Sequence, residues 1–176
     1  MEVGAVVFQG DRRLTKCQTL IDPQCAITAE SSSIHQITDA DVVGMPLRAE
    51  AIDRLRVFLA PASVYVAHNA VFDAAFLPEI SNQKWLCTKR LAQHLWPQSS
   101  NVQNQTLRYQ LKREVDNSTP HRVMADIEVT ASIFRQALSV VREQFGQRSL
   151  TWLIKFAGSP VELFRMPRGD QRSKRK

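Results

Sequence analysis

Two short segments carry the residue types that metal-assisted phosphodiester cleavage requires. The first is His68-Asn69-Ala70-Val71-Phe72-Asp73, and the second is His121-Arg122-Val123-Met124-Ala125-Asp126. Carboxylate oxygens are the protein ligands that Mg²⁺ prefers, and two such ions can flank a phosphodiester during its hydrolysis. A neutral histidine beside the attacking water can accept its proton near pH 7. The two segments together therefore indicate a hydrolytic site for phosphate esters.

Hydrophobic periodicity predicts strands that alternate with helices around both segments. Val3–Phe8 and Leu14–Ile21, separated by the turn residues 9–11, predict an opening β-hairpin. The remaining pattern predicts a connection over 24–47, a helix over 49–60, a strand over 63–67, a helix over 70–77 and a strand over 85–87. It further predicts a helix that Thr88 caps and that runs through Leu91 and Leu95 to Pro97, a short helix over 107–111 and a long helix from Asp126, with Ile127, Ala131, Phe134, Leu138 and Val141 as its apolar stripe. This alternation after a hairpin predicts an α/β domain with a mixed sheet.

Both aspartates fall in the first turn of a predicted helix. Asp73 closely follows a predicted strand, and the carboxyl ends of strands are where α/β proteins often place ligands. Asp126 opens the long helix. His121 precedes it in a predicted loop, from which the imidazole ring could reach a ligand that Asp126 binds. The alternative interpretation is that each aspartate only caps its helix.

In this order and spacing, the two segments resemble the second and third motifs of the DEDDh (DnaQ-like) 3′–5′ exonuclease family. Ile34–Thr38 resembles a further segment of that family. The segments Tyr65–Asp73, Leu77–Glu79 and Trp85–Pro97 resemble its exonuclease X branch in particular. The resemblance covers about residues 1–160. It implies a ribonuclease-H-like mixed sheet flanked by helices, a divalent metal cofactor (Mg²⁺ or Mn²⁺) and release of nucleoside monophosphates from nucleic acid 3′ ends.

The resemblance also implies a role for each residue of the two motifs. Carried over position by position, Asp126 is a direct metal ligand, Asp73 holds the metal or its water, and His121 is the general base. Catalysis is therefore expected to depend on all three side chains.

Three more side chains are implied to form the pocket for the 3′-terminal nucleotide, namely His35, Asn69 and Phe72. Phe72 would pack against a base or a sugar. Simpler interpretations exist for two of them. His35 could brace its own loop by a hydrogen bond, and Phe72 could belong to the core with Phe76.

The family's first motif, an Asp-x-Glu on the opening strand, has no counterpart in this sequence. Asp126-Ile127-Glu128 has the spacing but falls on a predicted helix, where the first and third side chains diverge by about 200°. Glu114-Val115-Asp116 is reversed and lies in a predicted loop, and Glu2 matches an ordinary glutamate that opens the second strand in relatives. Asp73 and Asp126 are then too few to hold two hard cations tightly.

We expect the absence of the strand that carries this first motif to lower the stability of the fold as well. In the family it lies centrally, between the hairpin and the strand predicted over 63–67. Three or four buried side chains at about 1.5–3 kcal/mol each would contribute roughly 5–12 kcal/mol, against a typical total stability of about 5–15 kcal/mol. We expect the chain as given to be marginally stable or to need an N-terminal extension.

Charge is concentrated at the end of the chain. Of the net charge of +6, residues 165–176 carry six basic side chains and one acidic side chain, so +5 lies there and +1 over residues 1–164. We expect an N-terminally incomplete exonuclease domain over 1–164 and a basic, disordered tail over 165–176. That tail either adds salt-sensitive affinity for phosphates or has no role.

Cysteine usage and hydropathy narrow the protein class. Cys17, Cys25 and Cys87 are an odd number without a CxxC pair, which argues against a disulfide framework or a zinc site and for a cytoplasmic protein. No stretch approaches the roughly 20 apolar residues of a membrane span.

Two hypotheses from different classes follow. The first is a metal-dependent 3′–5′ exonuclease, with single-stranded DNA as the favoured substrate and RNA second, whose activity is impaired by the missing motif. The rival is a non-catalytic pseudoexonuclease module that binds nucleic acid 3′ ends or a partner protein. A third interpretation, a basic-tailed DNA-binding accessory, depends on residues 165–176. DNA repair, proofreading and RNA maturation are all compatible with the pattern.

Overall fold

The computed structural model describes residues 1–80, 82–112 and 122–158. The strands are β1 (Glu2–Gln9), β2 (Arg12–Leu20), β3 (Tyr65–Ala67) and β4 (Trp85–Cys87). The helices are α1 (Ala29–His35), α2 (Asp39–Val42), α3 (Arg48–Leu59), α4 (Ala70–Phe76), α5 (Thr88–Leu95), α6 (Asn104–Gln110), α7 (Val123–Phe145) and α8 (Leu150–Gly158), with a 3₁₀ turn over Pro78–Ile80. His121, the domain boundary expected at 164 and the tail 165–176 lie outside the described residues.

The strands form two separate two-stranded sheets within the described residues. β1 and β2 are an antiparallel hairpin that pairs Glu2 with Leu20 and has an irregularity between Val7 and Phe8. β3 and β4 are parallel, with Tyr65 opposite Trp85. The α/β architecture is therefore confirmed, but no ladder joins β1 to β3 in the described part of the chain. Instead, α3 and α7 pack against β1 and support the hairpin.

The principal core lies around α7, which packs between β1 on one side and α5 and α6 on the other. Its fully covered apolar side chains are Val129, Ile133, Ala137 and Val141. The stripe predicted from Ile127 is partly wrong, because Ile127, Ala131, Phe134 and Leu138 are only half-buried. A helix covered on two sides is apolar over more than one stripe, so periodicity alone does not identify the innermost line.

The connection predicted over 24–47 contains two short helices, α1 and α2. Thr28 begins α1 by accepting a hydrogen bond from the Ser31 backbone N–H, and Thr38 and Asp41 form a capping box at α2. These caps satisfy backbone donors that such short helices leave free. Among the helices of the described residues, none combines the length and apolar character that crossing a lipid bilayer requires.

Candidate active site

Asp73 lies in the first turn of α4, directly beyond the end of β3. Asn69 is the N-cap residue of this helix, so Asp73 is not a capping residue and that interpretation is wrong. The Asp73 side chain is half-buried, and burial raises the pKa of its carboxyl, although its own backbone N–H partly opposes this. None of the ion pairs within the described residues involves Asp73. A positive charge placed beside this carboxylate would therefore be stabilised.

Asn69 turns the chain sharply between β3 and α4. Its backbone is left-handed (φ 77°, ψ 48°), a conformation that asparagine tolerates better than most residues. The Asn69 carbonyl oxygen accepts a 2.8 Å hydrogen bond from the Phe72 backbone N–H, while its side chain makes no capping hydrogen bond. Because Asn69 is exposed and its side-chain amide does not cap the helix, the amide is available to contact a ligand.

Phe72 is not a core residue. Its side chain is 59% exposed and that of Phe76 is 53% exposed, and the two ring centroids lie 4.6 Å apart with planes tilted by 39°. The core interpretation is therefore wrong for both rings. Two adjacent exposed aromatic rings beside Asp73 form an apolar surface against which a nucleotide base could pack.

His68, which the motif contains but to which sequence analysis assigned no role, fixes the end of β3. Its Nε2–H donates to the Val102 carbonyl oxygen at 2.8 Å, and its Nδ1 lies 2.9 Å from the Thr88 hydroxyl. Because a carbonyl oxygen only accepts, Nε2 carries a proton. Burial lowers the pKa of His68, and the charge of Lys89 adds to this, whereas the hydrogen bond to Val102 opposes it.

This arrangement predicts an acid-sensitive contribution to stability. Below the ordinary histidine pKa of about 6.5, the unfolded chain binds a proton that folded His68 does not take up. Stability should therefore fall as the pH drops from 7 to 5, with a slope from this residue of at most about 1.4 kcal/mol per pH unit. Urea unfolding at several pH values should show a shallower slope for His68→Gln than for the wild type. His35→Gln is the matched control, and equal slopes for His68→Gln and the wild type would contradict the prediction.

Asp126 lies in the first turn of α7, and its backbone N–H donates to the Arg122 carbonyl oxygen at 3.0 Å. Arg122 is the N-cap residue, so the capping interpretation is wrong for this aspartate too. Asp73 and Asp126 thus each occupy the fourth position of a helix. Sequence periodicity placed both near helix starts, and the structure adds that the cap position belongs to another residue in each case.

His35 braces its own loop, as the simpler interpretation predicted. Its Nδ1 accepts a 3.0 Å hydrogen bond from the Ile37 backbone N–H at the end of α1. On the neighbouring α2, the charge of Asp41 contributes to a raised pKa of Arg122 at the start of α7, after the larger effects of Glu2.

The loop before α6 links the β3 end to the first turns of α7. Val102 in this loop accepts the hydrogen bond from His68, and the side-chain amide of Asn104 donates to the Thr130 hydroxyl on α7 at 3.0 Å. Thr130 lies one turn beyond Asp126. The elements that carry the two aspartates are therefore tied to one another through residues 102–104.

The candidate ligands are of the chemical type that a hard divalent cation prefers, but they are few. Carboxylate oxygens are the ligands that Mg²⁺ and Mn²⁺ accept most readily. Within residues 1–80, 82–112 and 122–158, no group of three or more His, Cys, Asp or Glu side chains could hold a metal ion. Asp73 and Asp126 could each contribute oxygens, and His121 falls outside these ranges.

Comparison with known proteins decides the family. The RNase_T family model, described as an exonuclease, matches residues 1–134. The chain belongs to the DEDDh 3′–5′ exonuclease family. It is 29% identical over 138 residues to exodeoxyribonuclease 10 of Escherichia coli K12, covering 76% of this chain and 59% of that protein. It is 30% identical over 154 residues to the DNA polymerase III epsilon subunit of Treponema pallidum (strain Nichols), covering 83% and 71%.

A solved structure of a DEDDh exonuclease has the same fold. Exonuclease X, in complex with 5′ overhanging duplex DNA, superimposes with a TM-score of 0.72 and 27% sequence identity over 89% of this chain and 90% of that one. The ribonuclease-H-like fold and the family that the resemblance implied are thereby confirmed. The chain spans about three fifths of the length of the Escherichia coli relative.

Proposed function

We propose that this DEDDh family member is a metal-dependent 3′–5′ exonuclease that removes nucleoside monophosphates from nucleic acid 3′ ends. The observation that carries the proposal is the half-buried Asp73 carboxylate, whose burial raises its pKa and which has no ion pair within the described residues. Such a group is costly unless a cation neutralises it. In a family of exonucleases, a metal that binds the scissile phosphate provides that charge.

Asp126 and Asp73 would hold the Mg²⁺ or Mn²⁺, and His121 would accept the proton of the attacking water. The metal, when bound, would polarise the phosphate and stabilise developing negative charge on its oxygens. In the sequence, His121 immediately precedes Arg122, the N-cap residue of the helix that carries Asp126. The family membership and these two helix starts support the assignment.

The pocket for the terminal nucleotide would be formed by Asn69, Phe72 and His35. The exposed Phe72 ring would pack against the base, and the Asn69 amide would hydrogen-bond to the sugar or phosphate. Single-stranded DNA is the proposed preferred substrate and RNA the second. The relatives named for DNA support DNA over RNA, since one is an exodeoxyribonuclease and another was solved with 5′ overhanging duplex DNA.

We further propose that turnover by this chain is low. Two carboxylates supply fewer oxygens than two hard cations need, so metal affinity and alignment both suffer. The second candidate function, a non-catalytic module that binds 3′ ends, draws on the same shortage, together with the exposed ring pair Phe72 and Phe76. A role in DNA repair in the cytoplasm accords with the enzymatic hypothesis.

An exonuclease assay separates the two functions. Purified chain in excess over a 5′-labelled single strand with Mn²⁺ should give a ladder that shortens from the 3′ end, at a rate below about 1 s⁻¹, the lower bound of typical enzyme turnover. Single-stranded RNA and a 5′ overhanging duplex are compared in parallel, and chelator abolishes the reaction. A strand that is bound but stays intact would contradict the enzymatic proposal and favour the binding module. Rapid degradation would contradict the proposed impairment.

A further inference from the structure

The carboxylate of Glu2 is buried and fully hydrogen-bonded, although it lies at the start of β1. Only 6% of its side chain is exposed. Arg122 donates to it through Nε and Nη2, both at 3.1 Å, and the Val123 backbone N–H donates at 3.0 Å. Gln18 adds a fourth hydrogen bond at 2.7 Å. A carboxylate has about four acceptor positions, so these donors satisfy it completely.

This contact differs in kind from the other ion pair that joins the hairpin to α7. The Arg13–Glu128 pair is 39% and 30% exposed and consists of one hydrogen bond, so solvent and salt weaken it. At Glu2, burial alone would raise the carboxyl pKa, but the hydrogen bonds from Arg122, Val123 and Gln18 outweigh it and the pKa is lowered. The protein therefore stabilises a charged Glu2.

The donors to Glu2 lie where the motif His-x-x-x-x-Asp enters its helix. Arg122 directly follows His121, and the Arg122 carbonyl oxygen accepts the hydrogen bond of the Asp126 N–H. The Arg122 side chain makes no capping hydrogen bond to its own helix. Glu2 acts in its place, since its carboxylate binds the free Val123 N–H at the positive end of the helix.

Close packing next to this contact places the start of α7 directly against β1. A Cβ atom added at Gly4 would lie 3.0 Å from both the Cys17 carbonyl oxygen and a Val123 methyl group, which leaves almost no space. Gly4 thus allows the start of α7 to approach the hairpin backbone. Arg122 and Val123 thus both contact the hairpin, and the hydrogen bonds to Glu2 fix their orientation relative to it.

We propose that Glu2 is a positioning residue of the active site: its contact with Arg122 and Val123 sets the position of Asp126 without touching metal or substrate. This inference rests on the proposed function, because Asp126 is a proposed metal ligand. It differs from the sequence-based interpretation, in which Glu2 matched an ordinary glutamate that opens the second strand in relatives.

The first test needs neither metal nor substrate. In Glu2→Gln, amide hydrogen exchange of Val123, Asp126 and Ile127, whose N–H groups are bonded at the helix start, should accelerate about tenfold, because a charge-assisted contact there is lost, while residues 129–141 keep the wild-type rates. Glu128→Gln removes the exposed ion pair between the same hairpin and helix and should leave both regions unchanged. If Glu2→Gln does not fold, Arg122→Lys keeps the charge but loses the two-pronged geometry and should show the same local pattern.

The second test reads the consequence for the site. Mn²⁺ affinity, measured by electron paramagnetic resonance, should weaken about tenfold in Glu2→Gln and stay at the wild-type value in Glu128→Gln. Unchanged exchange of the Val123, Asp126 and Ile127 amides or unchanged Mn²⁺ affinity in Glu2→Gln would overturn the positioning role. A wild-type chain that binds no Mn²⁺ would instead contradict the proposed function, and the exchange experiment would still decide whether Glu2 holds the start of α7.

Discussion

Replacing Asp126 with asparagine is expected to lower turnover in Mn²⁺ by at least about 100-fold and to weaken Mn²⁺ binding by a comparable factor. Asparagine preserves the shape of the side chain but removes the negative charge that a hard cation requires. Loss of the hydrogen-bond partners behind a ligand already costs about 10–100-fold in metal affinity or activity, so loss of the ligand itself should cost more. Single-turnover degradation of a labelled strand and Mn²⁺ titration measure the two effects.

Glu128→Gln is the matched control for Asp126→Asn. Glu128 lies two residues further along α7 and pairs with Arg13 on the hairpin, at an exposed position. Its neutralisation should change turnover by no more than about twofold, as for most surface ion pairs. Wild-type turnover in Asp126→Asn, or equal losses in both variants, would remove Asp126 from the metal site.

Replacing His121 with alanine should lower turnover by about 10²- to 10⁴-fold, the range that a general base contributes. Affinity for the strand, measured in Ca²⁺ to prevent cleavage, should stay within about twofold of the wild type, because a base acts in the chemical step rather than in binding. A variant that loses affinity and turnover in parallel would identify His121 as a binding residue instead.

The double variant Asp126→Asn with His121→Ala tests whether the two residues act together. Groups that serve the same chemical step are strongly non-additive, so the double variant should be scarcely slower than the slower single variant. Losses that multiply would indicate independent contributions and contradict a shared site.

Much of the fold followed from local signals in the sequence. The turn after Phe8 separates a β-branched, apolar run from a loosely alternating one and predicted the hairpin, and apolar spacing predicted the starts of α3, α4 and α7 to within about three residues. The family resemblance rested chiefly on His68–Asp73 and His121–Asp126. Each of these motifs is a continuous segment, so it can be recognised from a single sequence. The family model confirmed it.

What the sequence did not predict depends on contacts between distant residues. Glu2 and Arg122 are 120 positions apart, and neither stands in a pattern that links it to the other. His68 likewise finds Thr88 and Val102, 20 and 34 positions away. Local patterns identify which residue types could do chemistry, whereas the residues that hold them in place are identified only after folding.

Phe72 and Phe76 show a second limit of prediction from sequence, which concerns burial. Two phenylalanines four apart on a helix ordinarily indicate a core face, yet both rings are exposed. The pattern i, i+4 shows only that they share one side of α4, and it does not show what covers that side. Their exposure became evident only when β3, β4 and the 3₁₀ turn were seen to occupy the other side of the helix.

The separation of the strands into two sheets has a consequence for handling the protein. Two two-stranded sheets have four lateral edges, whereas one four-stranded sheet has two. Each such edge in the described part of the chain carries backbone groups that could join an incoming extended segment. β3 and β4, with three residues each, offer short templates, but β1 is eight residues long. The hairpin therefore offers the longer edges for intermolecular strand pairing, which a low protein concentration during purification should limit.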